Sequence, residues 1–398
     1  MPLLRKRKSP SEIPAPAVAD EDWAPYCRFP GHMIGGNDVR LLVDGGQAFP
    51  AMLEAIDGAE RTVLMESYIF HDDEAGRLFA GALARAAARG VITCLGVDGL
   101  GTMHVPAAFF EEMERAGVRV LEYRPPSPWR RQWGLLRRNH RKLLVVDNAV
   151  GFTGGINIGD EWLPREQGGL GWHDIHVRIE GPAVRELTRL SISTWRTHGE
   201  VDLPPHEFLP PSPAAGDTWA AVVGSRERKR RKAIRQSYLH AINRARRYIY
   251  LANAYFLPDR AYRHALGNAV KRGVDVRVMV PARGDILAVQ LASQSLYGRL
   301  LRRGVRLFLW NDALLHAKTA VIDDLWATAG SFNIDHRSWA MNLEVNANIV
   351  GPVFAGRLRE QFEEDQQRCT ELAYHVWRRR PWPLRFLERF FGLFRRWM

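Results

Sequence analysis

The chain is poor in cysteine, poor in lysine and has no long apolar run. Its three cysteines, Cys27, Cys94 and Cys369, are odd in number and far apart. That excludes a disulfide framework and a CxxC metal knuckle, and it fits a reducing compartment. No segment approaches the ~18 consecutive apolar residues of a membrane-spanning helix, and runs such as Leu143 to Val146 are soon interrupted. The stretch from Met1 to Pro10 is charged but has no apolar core, so it does not read as a secretory signal. The expectation is a chain that is soluble, or attached to a surface without crossing a membrane. Hydrophobic residues at 46% and charged residues at 25% exclude a disordered chain, and 398 residues suit two domains with a core each.

Acidic residues are in deficit as well. The formal net charge of +12 calls for an anionic partner: nucleic acid, anionic lipid or a phosphorylated small molecule. The excess is local. Residues 226–235 and residues 374–398 each carry a net +6, which leaves the remainder neutral. The 56 cationic residues include only seven lysines: Lys6, Lys8, Lys142, Lys229, Lys232, Lys271 and Lys318. A lysine in such a chain marks a place where a compact ammonium suits better than a planar guanidinium.

What the sequence does contain is a long-range repeat. The stretch Arg61 to Phe70 parallels Arg247 to Phe256, and Ala82 to Val91 parallels Ala265 to Val274. Ala116 to Val120 parallels Arg303 to Leu307, and Asn139 to Asp147 parallels Leu315 to Asp323. Each half reads as strand, helix, strand, helix, strand, which gives an α/β class. In the first half the strands are 61–70, 91–97 and 118–123, with helices over 74–89 and 107–116 stopped by Gly90 and Gly117. The expected organisation is an N-terminal arm (1–34), a first domain (35–202), a Pro-rich linker (203–218), a second domain (219–373) and a basic aromatic tail (374–398). Pseudo-twofold packing of the halves would bring equivalent residues to one interface, where a site would form.

The repeat carries chemistry. His140 and Lys142 stand at i and i+2, on one face of a strand, and His316 and Lys318 repeat them. An imidazole serves as nucleophile or acid/base, and an ammonium holds a phosphoryl oxygen. Asp147 and Asp323 complete each His-x-Lys-x4-Asp pattern. They join the candidate catalytic set, although an aspartate at a strand end equally suits a cap or turn. A glycine turn with an amide follows each motif, ending at Asn157 and Asn333, whose NH2 groups suit phosphoryl oxygens. Asp174 and Glu344 lie 34 and 28 residues after the two histidines. Each could hold an Nδ1–H and leave Nε2 free to attack.

The doubled His-Lys-Asp motif resembles the phospholipase D superfamily. The flanking text is similar to bacterial cardiolipin synthases of the phospholipase D type, in a short form without N-terminal transmembrane helices. The residues that carry this are Gly35 to Phe49, Glu66 to Phe70, Asn139 to Lys142, Gly154 to Ile158, Gly330 to Ser338 and Asn342 to Glu344. The resemblance covers roughly residues 33–373. It implies two tandem domains, each a mixed sheet flanked by helices, with a site between them that needs no metal or other cofactor. Two His, two Lys and two Asn offer few hard oxygen ligands for Mg or Ca, and nearby lysines oppose zinc on the two histidines.

The resemblance also implies a mechanism and partners. One histidine attacks the phosphodiester phosphorus of a phospholipid, and the other protonates the departing alcohol and deprotonates the incoming one. His140 is the expected nucleophile and His316 the expected acid/base. Lys142, Lys318, Asn157 and Asn333 would hold the non-bridging oxygens. The implied substrate is phosphatidylglycerol, with phosphatidylethanolamine as a second donor. The alternatives are another phosphatidyl transfer, phospholipid hydrolysis or a nuclease. No recognition helix or RNA-binding signature appears, and no nucleic-acid partner is expected.

The tail adds a surface. From Leu384 to Met398, apolar residues at 384, 387, 390, 391, 394, 397 and 398 share one helical face and arginines share the other. Fifteen residues reach only ~22 Å as a helix, too short to span a bilayer. This is the pattern of an interfacial helix on anionic lipid. The expected location is peripheral, on the cytoplasmic face of the bacterial inner membrane. Two further basic stretches, Arg226 to Arg235 and the Trp/Arg-rich 128–138, are candidates for phosphate or membrane contact.

Overall fold

Each half opens with a strand, and the two opening strands pair with each other. The computed structural model describes residues 21–125, 137–199, 203, 212–225 and 232–395. The first half runs β1 (Ile34–Val43), α1 (Asp44–Asp57), β2 (Thr62–Ser67), α2 (Glu74–Ala88), β3 (Ile92–Asp98), α3 (Ala107–Arg115) and β4 (Arg119–Tyr123). It ends with β5 (Leu143–Val146), β6 (Val150–Gly154), β7 (Ile175–Glu180) and α4 (Val184–His198). The second half repeats the order: β8 (Thr218–Gly224), α5 (Ala233–Arg244), β9 (Tyr248–Asn253), α6 (Arg260–Lys271), β10 (Asp275–Pro281), α7 (Leu287–Leu301) and β11 (Arg306–Trp310). It continues with β12 (Lys318–Ile322), β13 (Trp326–Gly330), α8 (His336–Ala340), β14 (Val345–Val350) and α9 (Pro352–Gln366). A short β15 (Cys369–Glu371), α10 (Tyr374–Arg378) and α11 (Trp382–Leu393) close the chain.

The strands form one mixed sheet in the order β15-β11-β10-β9-β12-β13-β14-β8-β1-β7-β6-β5-β2-β3-β4. Leaving out β15, this order is a palindrome about the β8–β1 pair. That is the pseudo-twofold expected from the repeat. β2, β3 and β4 are parallel, as are β9, β10 and β11, each joined by a helical crossover. β2 and β9 are buried at every position, which suits central strands covered on both faces.

A central core joins the halves. Val177, Ile179 and Leu187 of the first half pack in one cluster with Ala347, Ile349 and Phe354 of the second. Neither half buries that surface alone, so the two are held as one body.

Two expectations need correction. Residues 21–34 are not a loose arm: Trp23, Ala24, Tyr26, Cys27 and Met33 are buried in the core of the second half. Two buried aromatic rings and a buried methionine in eleven residues give this segment enough apolar surface to dock. The second change concerns the strands that carry the histidines. His140 to Lys142 precede β5, and β12 begins only at Lys318. The histidines therefore sit just before the strands, where their backbone pairs with the other half of the chain. Residues 204–211 of the linker, Arg226 to Arg231, Pro128 to Gln132 and residues 133–136 lie outside the described residues.

Candidate active site

The backbone ahead of β5 and β12 crosses to the opposite half. His140 N donates to Leu343 O (2.9 Å) and Leu343 N to Arg138 O (2.8 Å). In the symmetric place, His316 N donates to His173 O (2.7 Å) and His173 N to Leu314 O (2.9 Å). Each histidine is thus set beside the residue that follows in the partner strand. For His140 that is Glu344, and for His316 it is Asp174.

The carboxylates accordingly work crosswise. Nδ1 of His140 lies 3.0 Å from Oε2 of Glu344, and Nδ1 of His316 lies 2.6 Å from Oδ2 of Asp174. From sequence, each carboxylate reads as the partner of the histidine that precedes it. The structure exchanges them, because the halves meet antiparallel about the β1–β8 axis. With Nδ1 engaged, each ring turns Nε2 away from its carboxylate.

Two small residues allow this. A Cβ on Gly155 would stand 2.1 Å from Oδ1 of Asp174, so only glycine lets the carboxylate lie there. At the equivalent position Ser331 donates Oγ–H to Glu344 Oε2 at 2.5 Å, and Asn342 Nδ2 adds a bond to Oε1 at 3.3 Å. Trp162 Nε1 supports Asp174 from the other side at 3.3 Å.

The lysines lie beneath the rings. Lys142 Nζ donates to His140 O at 2.9 Å and stands over the Tyr68 ring. Lys318 Nζ bonds to His316 O and lies 2.9 Å from its Nδ1. Both lysines are essentially without exposure, at 2% and 0%, so an unpaired charge there is expensive and waits for an anion. Burial, only partly offset by Glu344, holds Lys142 well below the ordinary lysine range. Burial also brings Lys318 down to about 8 against the pull of Asp174 and Glu344.

The two halves are electrically unlike. Burial, then the charges of Lys142 and Lys318, push His140 well below 6.5. Burial and Lys318 also lower His316, but the Asp174 carboxylate pulls the other way. Burial raises Glu344 to about 7 despite Lys142 and its hydrogen bonds. Burial would raise Asp174 as well, but Lys318 and His316 outweigh it and its carboxyl is held low. The His316–Asp174 pair is thus the better suited to carry a proton.

Asn157 and Asn333 take equivalent positions. Their Oδ1 atoms accept from Ile69 N (3.1 Å) and Tyr255 N (3.4 Å). Among the described residues, Asn157 Nδ2 is buried without a hydrogen-bond partner. Asn253, not singled out from sequence, behaves alike: Oδ1 accepts from Ile334 N, Nδ2 has no partner among the described residues, and the residue pairs with Lys318 across β9 and β12. Its signal was hidden because the repeat places Ser67 at the matching position.

Asp147 and Asp323, placed in the candidate catalytic set from sequence, are bound to backbone groups away from the two histidines. Each sits in the left-handed region, with φ of 53° and 57°, at the hairpin after its strand. Asp147 accepts from the backbone N–H of Glu60, Arg61 and Thr62 at 2.7–2.9 Å. Asp323 accepts from Arg246, Arg247 and Tyr248 N–H at 2.6–2.9 Å, and from Tyr26 Oη–H at 2.7 Å. Four residues of extended chain separate each aspartate from its lysine, which puts them on the order of 15 Å apart. They fasten the strand start at the far end of the sheet from the histidines.

Other members of the site were missed in the sequence. Tyr68 packs edge-on against His140 at 5.1 Å between ring centroids, and Trp162 and Trp172 pack against His316 at 5.4 and 5.8 Å. Asn139 is locked before His140 by Asp98 Oδ2, which accepts its N–H at 2.7 Å, and by Glu66 Oε2, which accepts its Nδ2–H at 2.8 Å. Arg141 points to the opposite face and reaches Thr194 Oγ1 at 2.9 Å. Among the described residues, one group has a composition suited to a cation. It comprises His71, Asp73 and Glu161, with His71 Nδ1 at 3.8 Å from Asp73 and 3.5 Å from Glu161. Asp73 already caps α2 through Gly76 N–H and accepts from Asp160 N–H, and Glu161 bonds to His71, so these contacts account for the group.

Two histidine–carboxylate pairs, two buried lysines and unpartnered amides at one interface suit transfer of a phosphoryl diester through a histidine. Residues 52–168 and 238–366 match the family described as cardiolipin synthase, PLD-like domain. A cardiolipin synthase of Listeria innocua is 34% identical over 354 residues, covering 88% of this chain and 73% of its own. Cardiolipin synthase 1 of Bacillus cereus is 32% identical over 363 residues, covering 89% and 71%. The chain belongs to the cardiolipin synthase family of phospholipase D-like proteins. A solved phosphatidylserine synthase of Haemophilus influenzae shares the fold, with a TM-score of 0.72 and 13% identity over 90% of this chain and 95% of that one. Membership makes the protein a phospholipid phosphatidyltransferase. Among the described residues, no helix is long and apolar enough to cross a membrane.

Proposed function

We propose that the protein joins two phosphatidylglycerol molecules, or phosphatidylglycerol and phosphatidylethanolamine, into cardiolipin through a phosphatidyl-histidine. His140 Nε2 attacks the phosphorus of the donor. The P–O bond to the headgroup breaks, and its oxygen takes the proton from His316. The acceptor hydroxyl then gives its proton to His316, its oxygen attacks the phosphorus, and the P–N bond to His140 breaks. With phosphatidylglycerol as donor, the released alcohol is glycerol. Lys142, Lys318, Asn157, Asn253 and Asn333 hold the non-bridging oxygens as charge builds on them.

The observation that carries this reading is the crosswise pairing of each histidine with a carboxylate of the other half. It ties both rings through Nδ1 and gives them unlike charge environments. The stronger depression of His140 supports a neutral nucleophile. The held carboxylate of Asp174 supports His316 as the proton carrier.

The same reading places the enzyme on an anionic membrane surface, at the cytoplasmic face of a bacterial inner membrane. α11 supports it. Trp382, Phe386, Leu387, Phe390 and Leu393 are exposed along one face, while Glu388 and Gly392 on the other face are buried. A helix that turns its apolar side outward needs an apolar neighbour outside the protein. α11 packs along α7, where Gly392 lies against Ser295. At the start of α7, Ile286 and Leu287 are exposed beside Asp285, which accepts from Tyr255 Oη–H. Docking this edge would put the site mouth at the bilayer.

Purified protein incubated with labelled phosphatidylglycerol alone tests the reaction, with products separated by thin-layer chromatography. Cardiolipin plus glycerol, lost in His140→Ala and in His316→Ala, is the expected result. Phosphatidic acid as the sole product, cleavage of plasmid DNA in its place, or full activity in either variant would overturn it.

A further inference from the structure

The polar face of α11 is turned to the protein, and what it covers is not neutral. Between α7, α10 and α11 lies a cavity of about 360 Å³. Six arginines line it: Arg299, Arg302, Arg378, Arg380, Arg385 and Arg389. Among the described residues Glu388 is the only carboxylate in the lining, and it is 3% exposed and held by both terminal nitrogens of Arg380. Arg302 bonds to the Gly298 carbonyl, which leaves its charge uncancelled. Arg299, Arg378, Arg385 and Arg389 make no side-chain ion pair among the described residues.

Like charges gathered in one concavity repel, and the repulsion is relieved by an anion with several acceptor oxygens. Guanidinium forks match a phosphate, and Tyr374 and Gln294 of the same lining add a hydroxyl and an amide. The rim decides which phosphate. The outward face of α11 is apolar, with Trp382 and Leu393 at 76% and 75% exposure. An anion held here therefore has a surface for hydrocarbon beside it. The cavity lining on α7, Gln294 to Arg302, lies about two to four turns beyond the start of that helix, on the order of 10–20 Å along it from the site end, so it is not the reaction site.

We propose that this cavity binds the phosphate headgroup of an anionic phospholipid, whose acyl chains run along the exposed face of α11. The proposal rests on the reading of α11 as membrane-facing. It adds a selective lipid site, which would fix the enzyme where anionic lipid is abundant.

The test is flotation of the full chain with vesicles of phosphatidylcholine, with or without phosphatidylglycerol. Arg299→Gln/Arg302→Gln should lose tenfold or more of the binding gained from phosphatidylglycerol, with unchanged melting temperature and circular dichroism. A control of equal charge loss, Arg115→Gln/Arg185→Gln, should keep it. Should the first variant fail to fold, Arg389→Gln on the exposed helix replaces it. Binding equal to the control overturns the cavity. If Phe386→Ser/Phe390→Ser then still releases the protein from both kinds of vesicle, the membrane reading stands without it. If that variant floats like wild type too, both fall. A third arm adds glycerol phosphate. Stabilisation of the wild type by glycerol phosphate, with no loss of vesicle binding in the cavity variant, assigns the site to a free phosphate and overturns the lipid.

Discussion

Oδ2 of Asp174 lies 2.6 Å from Nδ1 of His316, a residue 142 positions later and in the other half of the chain. His140 and Glu344 repeat the relationship across 204 positions. Neither half holds a complete histidine pair, so the two halves must be joined for chemistry. Removing the charge of Asp174 while keeping its shape separates this orienting role from packing. Asp174→Asn is expected to lower kcat by on the order of 10²–10⁴-fold with little change in KM. Steady-state kinetics on mixed micelles would check it. A kcat within threefold of wild type would mean that the carboxylate does not set the state of His316.

The unlike environments predict a narrow bell in kcat/KM against pH. As pH climbs through about 7, Glu344 loses its proton and accepts from His140 Nδ1–H, which leaves the Nε2 lone pair open. As pH climbs through about 8, Lys318 loses the ammonium that holds the phosphoryl oxygen. Activity therefore rises through the first value and falls through the second. In Glu344→Gln the amide oxygen accepts without titrating, so the acid limb should vanish while the alkaline limb stays. An acid limb unmoved by that change would assign it to another group.

The motif aspartates are predicted to matter for folding and not for turnover. Asp147→Ala leaves three strand-start N–H groups without their acceptor. At about 1–3 kcal/mol for each group that stays buried, a fall in melting temperature of several degrees is expected. Asp323→Ala adds the loss of the Tyr26 bond and should cost at least as much. Specific activity per folded molecule, measured below the transition, should stay within a few-fold. A loss of a hundredfold at unchanged melting temperature would return these residues to the active site.

Much of this was legible in the sequence, and the gaps have physical causes. The repeat gave the strand and helix order, because apolar β-rich runs and Ala-rich helices ended by Gly90 and Gly117 are local signals. It also located His140, Lys142, His316 and Lys318, since two copies of one spacing define a pair. The crosswise pairing was not legible. Asp174 follows His140 in the chain, and only the backbone bonds of Leu343 and His173 to the opposite half exchange the partners. The backbone partners of Asp147 and Asp323 were not legible either, because a residue's place in a motif does not reveal whether it faces the substrate or a strand end. The docking of Trp23 to Cys27 was missed because a Pro-rich segment weakens the local signal whatever surface awaits its aromatics.

Asn253 and Asn157 are predicted to contribute donors to the transferring phosphoryl group. In each, Oδ1 is spent on a backbone N–H, and Nδ2 has no partner among the described residues. Asn253→Asp and Asn157→Asp keep the acceptor and remove the donor, so the loop contact survives while the phosphoryl contact does not. The expected loss is on the order of 10²–10³ in kcat, with melting temperature close to wild type. Equal kcat in either variant would reduce that asparagine to a loop clamp.

The last prediction concerns a histidine outside the reaction. His173 is stacked on Trp310 and lies between Asp44 Oδ1 and Asp365 Oδ2, each at 2.8 Å, so it bridges α1 of the first half and α9 of the second. Burial alone would lower its pKa, but the hydrogen bonds to Asp365 and Asp44 reverse this and raise it from 6.5 to about 10. The folded state therefore holds this proton more tightly than the unfolded chain. Its contribution to stability is full below 6.5, declines as pH rises, and is gone above about 10. Asp365→Asn should lower the melting temperature most at the acid side of that window and flatten the decline through it. Melting curves taken across the window would measure both effects. An equal drop at every pH would show that the loss is packing and that His173 does not carry the charge.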